Sequence, residues 1–264
     1  MFFNFKKSKI VVDCFTASPA AYELYKIRSS KVYYPEHIKK LNSGIDIRDT
    51  ATNVAYSRPT IKRCVGLNDL YKKGFIIPFW MDFICQPKEH AENKSALGVT
   101  DTWHQSNIVH HFPVQYPGVF TNYFHVKFRG PWHIAEKIGV DFLWNATTWN
   151  INNDVEKYII PPAIINFTDN CETNLNIFFR KNLEPFTLTA GTPLVQLVPL
   201  SDKDVEVKCH LVSHQEWISK SPYPDDMPTV QDGTRLNRLR KDREHAKELD
   251  QLETKGKCPF GFTK

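Results

Sequence analysis

Apolar positions along this chain fall in short runs of about four to eight residues, bounded by proline, glycine and asparagine, which is the pattern of strands rather than helices. The clearest case is Phe186-Thr-Leu-Thr-Ala-Gly-Thr-Pro-Leu-Val-Gln-Leu-Val-Pro199. One arm alternates apolar with polar, Ala190-Gly191 supplies a tight turn, and the second arm is almost continuously apolar. The pattern predicts an antiparallel hairpin of residues 186–189 with 194–198 in a core sheet.

Other segments repeat the theme. Ile10-Val-Val-Asp-Cys-Phe15 predicts a first strand, and Ser18-Pro19 then opens a short helix, with Ser18 as N-cap and proline in the first helical position. Residues 26–58 are polar and turn-rich, with a weak helical signal near His37 to Leu41, and predict a surface excursion rather than core. Leu67 to Lys73 predicts a short helix or a turn, closed by Gly74. Phe75-Ile-Ile-Pro-Phe-Trp-Met-Asp-Phe-Ile-Cys85 is strongly strand-like, and Pro78 inside it demands an edge, a bulge or a corner between two strands. From Trp103 to Trp149 the chain is aromatic and extended, with turn signals at Pro113, Pro117-Gly118 and Gly130-Pro131, the spacing of a sandwich or barrel. Strands are also predicted at Tyr158 to Phe167, Leu175 to Phe179 and Val205 to Val212.

After Pro222 and Pro224 the pattern changes. Thr234 to Thr254 is densely charged, basic first and acidic second, with Leu236, Leu239, Ala246, Leu249 and Leu252 as a narrow apolar stripe. This predicts a long charged helix whose charge order opposes its own dipole, so its stability must come from a surface it docks on. Phe260 and Phe262 form an apolar anchor beyond it. The expected organisation is a jelly-roll-like sandwich or barrel over residues 1–222, mainly β with short helical insertions, then a linker, charged helix and anchor over 223–264.

Composition narrows the function classes. A chain of 264 residues buries a core without disulfides or metals. Its net charge of +5 is spread out or interleaved with acids, so a nucleic-acid groove is not indicated. Cys14, Cys64, Cys85, Cys171, Cys209 and Cys258 are scattered without a Cys-x-x-Cys pair, which reads as reduced, mostly buried thiols in an intracellular setting. The amino-terminal apolar residues precede the lysines, the reverse of a signal peptide, and no segment approaches the ~18 apolar residues of a membrane span.

Candidate chemistry is sparse. A jelly roll can hold a metal on inward-facing histidines, and the candidates are His104, His111, His125 and His133. That chemistry calls for a strand-borne His-x-Asp/Glu pair, and the match, His90-Ala-Glu92, falls in a polar loop. Cys209-His210 with His214 lacks a second ligand cluster, and alternation sets Cys209 and His210 on opposite faces. No metal or other cofactor is expected. Nucleophile elbows and phosphate-binding glycine loops are missing. Trp132, Trp144 and Trp149 offer a stacking platform for a binding partner, or else core. With Phe260 and Phe262 they complete the candidate binding residues.

Two resemblances follow. Thr60-Ile-Lys-Arg-Cys64, Gly74-Phe-Ile-Ile-Pro78, Gly130-Pro-Trp-His-Ile134 and Gly191-Thr-Pro-Leu-Val-Gln-Leu-Val-Pro199, in this order, resemble an uncharacterised protein family encoded by tailed phages, including T4-like marine phages, and by some bacteria. In that family the Pro-Trp-x-Ile stretch usually leads into a Thr-Pro-Pro-Gly turn, where this chain has Ala135-Glu-Lys-Ile-Gly139. The resemblance implies a viral origin and no particular activity. Residues 163–199 are similar to the last strands of dUTPases and dCTP deaminases, but Asn166 stands where those enzymes carry an aspartate. The leading expectation is a non-enzymatic phage protein of the host cytoplasm or virion, which self-associates or binds another viral or host protein, without membrane or nucleic acid. The rival is an enzyme on the same fold, either a non-haem metal-dependent oxygenase or a dUTPase-like nucleotide-processing protein.

Overall fold

The structure is a computed structural model that describes residues 9–85, 87–88, 96–97, 108–111, 122–147, 149, 156–168, 172–181 and 184–220. The chain divides after Lys220 into two units. The charged helix predicted after Pro224, and Phe260 and Phe262 with it, lie outside the described residues.

In chain order, the first third contains β1 (Ile10–Thr16), α1 (Pro19–Leu24), β2 (Arg28–Ser29), α2 (Glu36–Lys40), β3 (Gly44–Arg48), β4 (Ala55–Pro59), α3 (Val65–Lys72), β5 (Phe75–Pro78) and β6 (Phe83–Cys85). The middle third adds β7 (Pro87–Lys88), β8 (Ala96–Leu97), β9 (Ile108–His111), β10 (Tyr123–Phe128), β11 (His133–Glu136), β12 (Asp141–Ala146), β13 (Tyr158–Ile159) and β14 (Ala163–Asn166). The last third holds β15 (Leu175–Arg180), β16 (Phe186–Leu188), β17 (Pro193–Pro199), β18 (Val205–Leu211) and α4 (His214–Lys220). The fold is mainly β and built of several sheets, none closed among the described residues.

Three of these sheets enclose the core. The largest runs β14-β12-β17-β5-β2, a second β13-β15-β10-β9, and a third β11-β1-β18, with β1 and β18 parallel. Alternation builds the inner faces: Ile10, Val12 and Cys14 on β1, Phe124, Val126 and Phe128 on β10, and Leu175, Ile177 and Phe179 on β15 join one buried cluster. Aromatic rings interlock inside it. Phe128 meets Phe79 and Phe83 edge-on at 5.3 and 5.0 Å, and Phe142 meets Phe75 at 5.7 Å.

Local signals behave as their chemistry dictates. Ser18 accepts a bond from the Ala21 amide at 3.2 Å and caps α1, with Pro19 behind it. Gly74, just past α3, has φ +76, and a Cβ there would come within 1.8 Å of the Leu197 carbonyl oxygen, so glycine alone fits. Pro78 ends β5, and the chain turns a corner before β6.

The 186–198 hairpin does not form. β16 pairs instead with β6, while β17 lies between β12 and β5 in the five-stranded sheet. Gly191 does make the sharp turn, at φ +85. Its amide donates to the Phe79 carbonyl at 2.7 Å, so the turn feeds two different sheets rather than one ribbon. Alternation fixes which face a residue takes, and a three-residue arm takes whichever neighbour is in reach. The 26–58 excursion also needs correction at its start: β2 pairs with β5, and Ser30 and Ile38 are buried.

Candidate functional site

Tryptophan placement excludes the stacking platform. Trp132, Trp144 and Trp149 are 0%, 4% and 5% exposed, so these three are packing residues. Trp149 has a further task. Its Nε1 donates to the Gln196 side chain at 3.1 Å, and Gln196 Nε2 donates to the carbonyls of Leu70 (2.6 Å) and Lys73 (2.8 Å). A wholly buried glutamine in the interior strand β17 thus ties the sheet to the end of α3. The polar residue inside Leu194-Val-Gln-Leu-Val198 was the sequence signal for it.

The candidate histidines separate. His104 lies outside the described residues. His111 stands opposite His125 in the β9–β10 register. His125 Nε2 is 3.0 Å from Asn176 Oδ1, and its ring stacks on Phe178 at 4.5 Å. His133 belongs to a different sheet, buried and stacked on Trp217 at 4.2 Å. Among the described residues no group of three or more His, Cys, Asp or Glu side chains is placed to hold a metal.

The opposite faces of Cys209 and His210 are as alternation requires. His210 Nε2 meets Asp13 Oδ1 at 2.9 Å and the ring stacks on Phe15 at 4.9 Å, with Lys220 Nζ over the same Phe15 ring at 4.2 Å. A carboxylate-held imidazole is half of an acid–base relay. Here the partners shown for it, Asp13 and Phe15, both stand on β1, so it fastens β18 to β1. Cys209 faces inward, directly opposite Cys14 in the parallel register. Cys14 and Cys85 are buried, and burial pushes the Cys85 thiol up to about 12. Cys64 is exposed.

Asn166, at the dUTPase-like position, closes the end of β14. Its Nδ2 donates to Asp141 Oδ1 at 2.9 Å, and its Oδ1 accepts from the Thr168 amide at 3.0 Å. These are turn-holding bonds, with the amide committed on both sides.

The surface that stands out is residues 34–72. β3 and β4 form a two-stranded ribbon, and every residue of it but Gly44 is exposed. Register places Ile45 opposite Arg58 and Ile47 opposite Tyr56, so Ile45, Ile47, Val54, Tyr56 and Arg58 share one face. Ile45 is 52% and Val54 57% exposed, an apolar strip that no other described element covers. Asp46, Ser57 and Arg48 take the other, polar face. At the tip Asp49 Oδ1 accepts from the Ala51 and Thr52 amides at 2.8 Å each, which holds its carboxyl below the usual carboxylate range.

At the base of the ribbon lies an open cleft of about 780 Å³ lined by Tyr34, Lys39, Lys62, Arg63, Val65, Asn68, Asp69 and Lys72. Lys62 Nζ donates to the carbonyls of Lys39 (3.0 Å) and Leu41 (2.9 Å), which fixes the entry of β3 against the exit of β4. Lys72 sits over the Tyr34 ring at 4.7 Å, and the Tyr34 hydroxyl donates to Asn68. Four cations against one carboxylate favour acidic groups at this edge.

The class this geometry defines is a mainly β protein with an amphipathic ribbon and a basic cleft on its surface. Comparison with family models finds none that matches the chain, and comparison with curated proteins finds no matching relative. Among the described residues no helix is long and apolar enough to cross a membrane.

Proposed function

We propose that this chain is a non-enzymatic, phage-encoded protein that works by assembly, as a virion component or a protein-binding accessory factor. The observation that carries the reading is the apolar face of the β3–β4 ribbon, exposed among the described residues. An isolated two-stranded ribbon is marginally stable in water and needs a third element against its apolar face. A contiguous exposed strip of this kind marks a contact surface. The occupant is a second copy of the chain. Isologous pairing lets one patch cover itself, with Ile45, Ile47 and Val54 as its apolar part and Arg58, whose guanidinium lies over the Tyr56 ring at 5.3 Å, as its charged part. The four motifs shared with tailed-phage proteins support the viral origin. A jelly-roll arrangement of the sheets and a charged helix after Pro224 belong to the same reading.

Sedimentation equilibrium of the full chain, alone and as Ile45→Asp/Ile47→Asp, tests it. The expected result is concentration-dependent association that the double variant loses while its melting temperature stays put. A wild type that remains monomeric at high concentration overturns the reading, as does a variant that associates as strongly as the wild type.

A further inference from the structure

The parallel pairing of β1 with β18 sets Cys14 directly opposite Cys209. Paired residues of a parallel ladder point to the same side of the sheet, and adjacent strands run about 4.7–4.9 Å apart. That separation falls inside the Cα range of about 4.4–6.8 Å that a disulfide spans. Cys14 is wholly buried, whereas Cys209 is half-buried at the border of the core, 3.4 Å from the Ile27 carbonyl oxygen. The two residues therefore differ in burial: Cys14 is fully enclosed, and Cys209 keeps partial exposure on an edge strand.

We propose that Cys14 and Cys209 form a peroxide-reactive dithiol, in which Cys209 is oxidised first and Cys14 resolves it to a reversible disulfide that locks the edge strand β18 onto β1. The local electrostatics run in the required direction. A hydrogen bond from the Cys14 thiol, then the Lys26 and Arg28 cations, lower the Cys209 thiol below its ordinary range despite its burial. Burial raises Cys14, and the Cys209 sulfur beside it adds to the rise.

The chemistry balances with a hydroperoxide as oxidant. The Cys209 thiolate attacks the terminal oxygen of the hydroperoxide, the O–O bond breaks, and the alkoxide (or hydroxide) leaves and takes up a proton. Cys209 is now a sulfenic acid, oxidised by two electrons while the peroxide is reduced. The Cys14 sulfur attacks the Cys209 sulfur, the S–OH bond breaks, and the departing hydroxide takes the Cys14 proton to leave as water. Reduction by a small dithiol restores both thiols. Because β18 is an edge strand that leads into α4, the disulfide would fasten that edge covalently to β1.

The test is peptide mapping of the folded, full-length chain by mass spectrometry without reduction, after hydrogen peroxide and alkylation. The expected product is a Cys14–Cys209 linked peptide pair that dithiothreitol reverses. In Cys14→Ser, a sulfenic-acid trap such as dimedone should label Cys209 several-fold more than Cys64. A Cys209 that stays a free thiol, or proceeds to sulfinic acid with Cys14 unlinked, while exposed Cys64 is oxidised, overturns the proposal. Should Cys14→Ser not fold, the wild-type map alone decides.

Discussion

Strand β17 is almost continuously apolar, the β3–β4 ribbon alternates apolar with polar, and the two meet opposite fates. In β17 every residue from Leu194 to Pro199 is buried, with a neighbour strand on each side. In the ribbon Ile45 and Ile47 alternate with polar residues, and both are exposed. An apolar alternation only says that one face wants cover. Inside the sheet that cover is the protein's own core, and on the ribbon it has to come from elsewhere. Stability should therefore reside around β17 and association around β3–β4.

The largest break in that contrast should come from Gly74, where an added Cβ meets the β17 backbone itself. Gly74→Val combines a clash that no side-chain movement relieves with a positive φ, and should cost about 4 kcal/mol or more, seen as loss of the cooperative urea transition. Gly191 serves as its control. Its φ is +85, but the nearest atom to an added Cβ is 3.9 Å away, so Gly191→Ala should cost only about 1–2 kcal/mol.

Gln196 comes next. Gln196→Leu keeps the volume but strands the Trp149 indole N–H and the Leu70 and Lys73 carbonyls, and should lower stability by about 2–4 kcal/mol in urea melts. An unchanged midpoint would mean that the buried amide does not hold the sheet to α3.

Much of this was legible in the sequence where the cause is local. Ser18-Pro19 made a helix start, Gly74 made a positive-φ stop, and Val205 to Leu211 made a strand, because each depends on a few adjacent residues. Partner choice was not legible, since alternation is the same whichever strand lies alongside. That is why β16 went to β6 and the 186–198 hairpin dissolved. The ribbon was missed because its turn, Asp49-Thr-Ala-Thr-Asn53, lacks glycine. Asn53 takes the positive φ instead, at +58, and Asp49 supplies the turn bonds. Trp132, Trp144 and Trp149 were ambiguous between platform and core until burial decided for core.

The smallest expected effect separates the regions by pH. Amide bonds depress the Asp49 carboxyl, so its contribution to ribbon order is complete above the unfolded value near 3.8 and is lost as pH falls through the lower folded value. Acid titration followed by NMR should broaden or shift Asp49 to Asn53 below about pH 4 while β17 amides stay fixed. Asp49→Asn should remove that pH dependence. Simultaneous loss of both regions would show that the ribbon has no independent order.

Amide hydrogen exchange across residues 44–59, measured at rising protein concentration, bears on the central claim most directly. A lone exposed ribbon exchanges fast, and a covered one does not. The account predicts protection at Ile45, Ile47 and Tyr56 that climbs with concentration while β17 stays protected throughout. Exchange across the ribbon that is the same at every concentration would contradict it.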